Sequence, residues 1–336
     1  MVWIDNSKIL GIFAVILLHV AAAVVIGNNI GSEYWWIGNL YDSLVRWCIP
    51  VFVMISGALL LDPEKKEGFS EFYKKRCAKI MIPLFFWSAF YLYWTHAKII
   101  IMGNNTPFPS IITSLLSGAP YYHMWYLYMI VSLYLFTPFF RKIIFYSTKR
   151  ELVMLVCFTF VMASINYAYE AFYTGITKLF INWFLFFIPY FFIGHLIHKT
   201  SKKISNYTLI ALFLLSVITT SLGCYFCSTC NNPIKEIYFY GYLSITVIPM
   251  SISVMFLLKN WSVPLINRRI TRKLSLLSLG AYLIHPIPLE LLISKKAGFM
   301  SFHPTLSVPV ISVVVLISSF FLAWIIHHIP YLRRII

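Results

Sequence analysis

Apolar residues run along this chain in long stretches that short clusters of polar and charged residues separate. The first stretch opens at Trp3 and is almost wholly apolar from Ile9 to Val25. Stretches of roughly 18 or more apolar residues are typical of transmembrane helices. A β-barrel would instead show short segments in which polar and apolar residues alternate. The pattern therefore predicts an all-α, polytopic membrane protein.

Ten stretches of this kind recur along the chain, and we interpret each as a membrane span. They cover residues 9–26, 44–61, 80–101, 124–141, 152–169, 179–198, 207–227, 237–258, 274–292 and 306–327. The spans take up most of the chain, so we expect one integral-membrane domain over residues 1–336. The first stretch lacks a small-residue cleavage site and is therefore expected to be a span rather than a signal peptide.

The composition and the charges fit a membrane protein. Of the 336 residues, 60% are hydrophobic and 11% are charged, whereas soluble domains average about 25% charged residues. The net charge of +16 would suit a nucleic-acid partner, but the positive residues lie in short connections between spans. Most of them fall on the side of the N-terminus; the exceptions are Arg46, Lys98, Lys178, Lys235, Lys295 and Lys296. The positive-inside rule therefore predicts cytoplasmic termini, and we expect no nucleic-acid partner.

A histidine lies inside the first span. His19 follows Lys8 by eleven residues, which on a helix places it roughly 16 Å deeper, near the membrane midplane. Eleven residues are almost three turns, so the two side chains share one helix face, and Asp5 joins the same stripe. Lipid does not solvate such a stripe, so it must face protein or water. On this evidence alone, a functional histidine and a hydrogen-bonded packing histidine are about equally favoured.

Five short elements occur in order along the chain. They are WIDNSKILGIFAVILLH, FVMISG, RCAKIMIP, HMWYL and SLGAYLIH, which begin at residues 3, 52, 76, 123 and 278. Each is weak alone in so apolar a background. Together, over nearly the whole chain, they resemble the acyltransferase-3 family of membrane-bound acyltransferases. The most similar branch contains the stand-alone O-acetyltransferases of surface polysaccharides, such as that of enterobacterial common antigen.

The resemblance departs from the family pattern at two positions. Lys8 and Lys79 stand where the family has arginine, in its opening Arg–His element and in its Arg-x-x-Arg element. Lysine keeps the positive charge but lacks the bidentate geometry of a guanidinium. Some members of the family also carry an extracytoplasmic esterase-like domain, and we expect no such fused domain in this chain.

The resemblance implies a reaction. The family transfers acyl groups, usually acetyl, from cytoplasmic acetyl-CoA to a sugar hydroxyl, and for this chain we expect a cell-surface or lipid-linked glycan at the bacterial inner membrane. His19 is the expected general base, because neutral imidazole accepts protons near neutral pH. A transient acyl-imidazole is the alternative. Arg76 and Lys79, three residues apart, are expected to bind the phosphates of coenzyme A. Lys8 would serve the phosphates or the thioester.

Further residues are expected to bind the acceptor or support the site. Tyr282 and His285 form a polar face that would orient His19 or bind the acceptor, although a packing pair is equally compatible. The resemblance gives the same role to three residues at the outer end of span four: His123, Trp125 and Tyr126. Aromatic side chains at this depth also form membrane-interface belts. Asp5 and Ser56 are assigned supporting roles, since the surroundings of Ser56 are typical of helix packing rather than of a serine nucleophile.

Two alternatives follow from other features of the sequence. The segment CYFCSTC, residues 224–230, has metal-like spacing, but no second ligand cluster accompanies it, so we expect no metal and leave a disulfide open. Ten spans with polar groups at mid-depth also suit a transporter or exporter of a glycan. No internal repeat supports the transporter. The sequence indicates no particular oligomeric state, and membrane lipid is the expected surrounding.

Overall fold

A computed structural model describes residues 1–65, 67–101, 111–173, 183–229, 238–293 and 302–336. Every regular element in these ranges is a helix, which confirms the all-α prediction. The elements are α1 (Val2–Gly27), α2 (Glu33–Val45), α3 (Cys48–Leu60), α4 (Phe69–Ile101), α5 (Ile111–Leu116), α6 (Trp125–Tyr146), α7 (Lys149–Tyr173), α8 (Trp183–Lys199), α9 (Asn206–Ser228), α10 (Val247–Asn260), α11 (Arg268–Ile284), α12 (Pro286–Ile293), α13 (Pro304–His328) and a 3₁₀ helix (Leu332–Arg334).

Seven helical segments of the described residues are long and apolar enough to cross a membrane, and the bent pair α11–α12 raises this number to eight. The apolar helices α8 and α10 coincide with predicted spans six and eight but contain 17 and 14 residues. A perpendicular crossing takes about 20 residues. The chain is therefore a multi-pass membrane protein, and the number ten stays a prediction.

The second membrane segment starts earlier than predicted. Helices α2 and α3 form one apolar segment, Glu33–Leu60, with a break at Arg46 and Trp47. Arg46 therefore lies inside this segment and not in an outer connection. It forms an ion pair with Asp42, whose side chain is 1% exposed. The hydropathy pattern missed α2 because its polar residues are buried against other helices rather than exposed to water.

Glycine allows two helices to cross at backbone contact. A Cβ added at Gly57 of α3 would lie 1.8 Å from the carbonyl oxygen of Phe191 in α8, and one at Gly194 of α8 would lie 2.1 Å from that of Met54. Small residues at helix crossings are typical of membrane bundles. Helix α1 packs on α3 and also contacts α2, α10, α11 and α13. The first span is therefore central in the bundle.

The predicted ninth span is bent rather than straight. Helix α11 ends at Ile284, His285 caps it, and α12 begins at Pro286 with a change of direction of 54°. Proline has no N–H to donate to the preceding turn, so it favours a break at this point. The bend places His285 at the junction of two half-helices inside the bundle, where it is fully buried.

Candidate functional site

A cavity of about 910 Å³ opens at the end of the bundle where both termini lie. Its walls come from α1, α3, α4, α6, α11 and the C-terminal segment. Six cationic side chains line it, and no Asp or Glu of the described residues does: Lys8, Lys65, Arg76, Lys79, Arg333 and Arg334. We call it the basic cavity. A group of six cations at one opening favours an anion with several charges.

The three cations singled out in the sequence meet in the basic cavity. Lys8 of α1 faces Arg76 and Lys79 of α4 across it. Sequence reasoning missed Lys65 and the Arg333–Arg334 pair, which looked like ordinary positive-inside charge. No local pattern indicates that the C-terminal segment folds back to the start of α1. Asp5 does not line the cavity; it accepts a hydrogen bond of 2.7 Å from Ser275 and so joins α1 to α11.

Near the entrance of the basic cavity, the carboxylate of Glu67 forms ion pairs with cations that do not line the cavity. Glu67 pairs with Lys75 and Arg141, at 3.2 and 3.4 Å. Burial opposes the ionisation of Glu67, but the hydrogen bonds and charges of these two partners lower its pKa overall. Burial, together with the charges of Arg141 and Arg76, lowers the pKa of Lys65 from its ordinary value. A bound anion would therefore favour the protonated form of Lys65.

The inner part of the basic cavity is apolar and ends at tyrosines. Beyond the cations, Phe52 and Ile55 contribute apolar walls, and Tyr126 and Tyr282 lie deeper, with ring centroids 5.7 Å apart. Ser56 also lines this part and accepts a hydrogen bond of 3.4 Å from the hydroxyl of Tyr134. The cavity thus has a charged entrance and an interior that combines apolar surface with hydroxyl groups.

Three histidines from distant parts of the sequence meet in the bundle. The ring of His285 lies 5.4 Å from that of His19, nearly parallel, and 5.2 Å from that of His123, nearly perpendicular. His123 and His285 are buried and His19 is half-buried. We call His19, His123 and His285 the histidine cluster. The three expected histidines therefore lie together, although none of them lines the basic cavity.

The backbone fixes the tautomer of His285. Its Nδ1 lies 2.5 Å from the carbonyl oxygen of Tyr282. A carbonyl oxygen only accepts hydrogen bonds, so Nδ1 carries the proton and Nε2 of the neutral ring is an acceptor. Nε2 is buried and has no hydrogen-bond partner among the described residues. A buried acceptor of this kind can receive a proton or a hydrogen bond from a substrate.

Tyr282 connects the two parts of the site. It lines the basic cavity, its hydroxyl donates a hydrogen bond to the carbonyl oxygen of His123, and its ring centroid lies 5.8 Å from that of His285. Together with Tyr126 it forms a wall between the basic cavity and the histidine cluster. Trp125 is not part of this wall, since it packs on Trp183 and Tyr242.

An aromatic and charged group adjoins the histidine cluster on the other side, and sequence reasoning missed it. The ring of Tyr122 is 43% exposed and lies 4.8 Å from that of His19. Tyr121 lies beside it and accepts a hydrogen bond of 2.8 Å from Lys98, which also pairs with Glu290 at 2.9 Å. Lys98 is in the last turn of α4, about 30 Å along the helix from Arg76. This group therefore faces the opposite end of the bundle.

The predicted cysteine and charge positions are only partly described. Cys224 is a buried free thiol, and Cys230 lies outside the described residues, as do Lys178, Lys235, Lys295 and Lys296. Within the described ranges, no group of three or more His, Cys, Asp or Glu side chains is arranged to hold a metal ion. A disulfide that involves Cys230 stays a prediction.

Comparison with known proteins gives one match. The acyltransferase-3 family model, described as an acyltransferase domain, matches residues 1–328. Comparison with curated proteins and with solved structures gave no significant match. The match includes the histidine cluster and four of the six cavity cations, and it ends before Arg333 and Arg334.

Proposed function

Because the chain belongs to the acyltransferase-3 family, we propose that it is a membrane-bound O-acyltransferase of the bacterial inner membrane. It moves an acetyl group from cytoplasmic acetyl-CoA to a hydroxyl of a cell-surface or lipid-linked glycan. The basic cavity carries this proposal, because coenzyme A presents a pyrophosphate and a 3′-phosphate to six clustered cations. Both termini would then be cytoplasmic, and the chain would act as a single membrane domain.

The order of residues along the cavity suits such a donor. Lys8, Arg76 and Lys79 would bind the phosphates at the entrance. The pantetheine arm, which carries methyl and methylene groups as well as two amides, would extend along Phe52 and Ile55, so that the thioester lies near Tyr126 and Tyr282. Lys8 and His19 are eleven residues apart on α1, or about 16 Å. The thioester would then approach the histidine cluster from the cavity side.

The histidine cluster supplies the acid–base chemistry. His19 removes the proton of the acceptor hydroxyl as its oxygen attacks the thioester carbonyl carbon. The tetrahedral intermediate collapses when the carbon–sulfur bond breaks, and the proton held by His19 passes to the departing thiolate of coenzyme A. His285 orients His19 or binds the acceptor. In the alternative, a ring nitrogen of His19 attacks the thioester carbonyl carbon, the carbon–sulfur bond breaks, and the ring proton passes to the thiolate of coenzyme A. The acceptor hydroxyl then attacks the acyl-imidazole, the carbon–nitrogen bond breaks, and the hydroxyl proton returns to His19.

The acceptor would approach from the opposite end. Tyr122 is exposed beside His19, and aromatic rings bind the apolar faces of sugars. His123, whose backbone Tyr282 holds, would fix the position of the acceptor. Asp5 would hold α1 and α11 together at the donor entrance through Ser275, and Ser56 would line the path of the pantetheine arm. Trp125 would act indirectly, by supporting the start of α6.

Mass spectrometry of surface glycans tests the proposal. The strains to compare carry the native gene, a deletion, His19→Ala and His327→Ala, at equal membrane abundance. His327 is exposed on α13 and away from the site, so its substitution is the matched control. Acetylated glycan should appear only in the strains that carry the native gene or His327→Ala. Equal acetylation in all four strains would refute the enzyme, and loss of glycan export in the deletion would then indicate a transporter.

A further inference from the structure

The last residues of the chain turn back toward the basic cavity. Helix α13 ends at His328, and the backbone at Tyr331 has φ of 70° and ψ of −45°. This left-handed φ is unfavourable for a residue with a side chain and persists only where the surroundings hold it. The Tyr331 side chain is 82% exposed, so contacts of the following residues must hold the turn.

Two contacts anchor the end of the chain between α4 and α11. The indole Nε1 of Trp87 donates a buried hydrogen bond of 2.8 Å to the carbonyl oxygen of Ile335. Ile336 packs on Gly280, where an added Cβ would lie 2.9 Å from the Ile336 Cβ. We call residues 329–336 the C-terminal strap. Its position is fixed by a specific hydrogen bond and by a glycine that leaves room for it.

The C-terminal strap carries two guanidinium groups to the cavity entrance. Arg333 and Arg334 line the basic cavity with Lys8, Arg76 and Lys79, and in the described part of the chain neither has a carboxylate partner. Lysine acts as a point charge, whereas arginine binds a phosphate through two parallel N–H donors. Of the three guanidiniums at this entrance, two therefore come from the strap.

We propose that the C-terminal strap is part of the donor site and that Arg333 and Arg334 bind phosphate groups of coenzyme A. This inference rests on the proposed function, because it assumes that the cavity binds an acyl-CoA. The strap lies beyond the family match, which ends at residue 328. The phosphates of membrane lipids have the same chemistry, so the test must separate the two sources.

Calorimetric titration with coenzyme A provides the test. The full chain is placed in nanodiscs of neutral phosphatidylcholine, and Arg333→Gln and Arg334→Gln are compared with Arg268→Gln and Arg269→Gln. The latter two are exposed at the start of α11 and do not line the cavity. Each strap variant should bind coenzyme A about fivefold to tenfold more weakly, an effect between that of an exposed ion pair and that of a buried charged hydrogen bond. The α11 variants should bind as the native chain does.

A second variant tests the anchor rather than the charge. Trp87→Phe removes the indole donor but keeps an aromatic ring, so it should weaken binding of coenzyme A while both arginines remain. Arg334→Lys should recover part of the affinity that Arg334→Gln loses, because it restores charge without the bidentate geometry. An unaltered affinity in Trp87→Phe would contradict the role of the anchor.

The outcomes separate the inference from the proposed function. If the native chain binds coenzyme A and the strap variants bind it equally well, the strap proposal is wrong and the donor proposal stands. If the native chain does not bind coenzyme A, the proposed donor is wrong as well. The same titration in nanodiscs that contain phosphatidylglycerol tests whether the arginines bind lipid phosphate instead. An effect of the strap variants only in those nanodiscs would assign the arginines to lipid phosphate and overturn the proposal.

Discussion

Replacing Tyr282 by phenylalanine removes the hydrogen bond that joins the basic cavity to the histidine cluster. The substitution keeps the ring, and with it the wall that Tyr282 forms with Tyr126. It deletes only the hydroxyl that donates to the carbonyl oxygen of His123. Because Tyr282 is 4% exposed and His123 is 2% exposed, no water replaces the lost donor easily. We expect a loss of both stability and activity, by separable amounts.

The structural loss can be bounded from the bond itself. Hydrogen bonds between helices in membrane proteins contribute about 0.6 kcal/mol on average and about 1.7 kcal/mol at most, and an orphaned buried carbonyl costs about 1–3 kcal/mol. The free energy of unfolding should therefore fall by about 1–2 kcal/mol. Tyr190→Phe is a matched control, since the buried Tyr190 donates a hydrogen bond of 2.6 Å to the carbonyl oxygen of Tyr242, away from the histidines.

The two variants should differ in turnover. Without the Tyr282 hydroxyl, the backbone of His123 loses the hydrogen bond that sets the position of the histidine cluster. We expect a loss of about 1.4 kcal/mol in transition-state stabilisation, which lowers kcat about tenfold. The KM for acetyl-CoA should stay within about twofold, because the cavity lining is preserved. Tyr190→Phe should lose similar stability but keep kcat. Acetyl transfer to purified acceptor and thermal unfolding measure the two quantities; equal kcat in both variants would refute a positioning role for Tyr282.

Three further predictions concern packing, charge and pH. Gly194→Ala should lower the unfolding temperature, because its Cβ would lie 2.1 Å from a backbone oxygen of α3. Gly27→Ala should leave the unfolding temperature unchanged, because its Cβ would meet nothing within 4 Å. Equal unfolding temperatures for the two variants would contradict the close crossing. Asp42→Ala should destabilise the bundle by about 3–5 kcal/mol, since it leaves Arg46, which is only 14% exposed, without its carboxylate partner. A stable variant in a thermal-unfolding assay would refute this. Coenzyme A should bind more weakly as the pH rises through the lowered pKa of Lys65 toward 10.5, because the anion prefers protonated Lys65. In the same titration, the affinity of Lys65→Arg should depend less on pH. Identical pH profiles for the two proteins would argue against a contact between Lys65 and coenzyme A.

The sequence predicted those features that local patterns encode. The apolar stretches indicated helices, and the spacing of Lys8 and His19 indicated one shared face of α1. The resemblance grouped Arg76 and Lys79 with Lys8, and the structure brings the three to one cavity, although their roles belong to the proposed function. These features depend on residues near one another in the sequence, or on a pattern that the family repeats.

Features that depend on tertiary contacts were not predictable in this way. The start of α2 was missed because buried Asn39 and Asp42 lower its hydropathy. Inside the bundle, Asn39 donates to Ser221 of α9 and Asp42 pairs with Arg46. The bend after His285 follows from a proline that hydropathy counts as neutral. The approach of Arg334 to Lys8 joins residues at opposite ends of the chain and requires the fold itself. Tyr122 was missed because an exposed aromatic residue beside a membrane span is ordinary.

The wall formed by Tyr126 and Tyr282 also determines how the protein would respond to a membrane potential. The basic cavity admits water from one end, and Tyr122 is exposed beside the histidines, so much of the electric field would fall across the layer between them. Moving one elementary charge through a full potential of 100 mV involves about 2.3 kcal/mol. In the proposed reaction the phosphates of coenzyme A would stay at the entrance, whereas the acetyl group is uncharged. Its passage across this layer would therefore proceed at the same rate in energised and de-energised membranes.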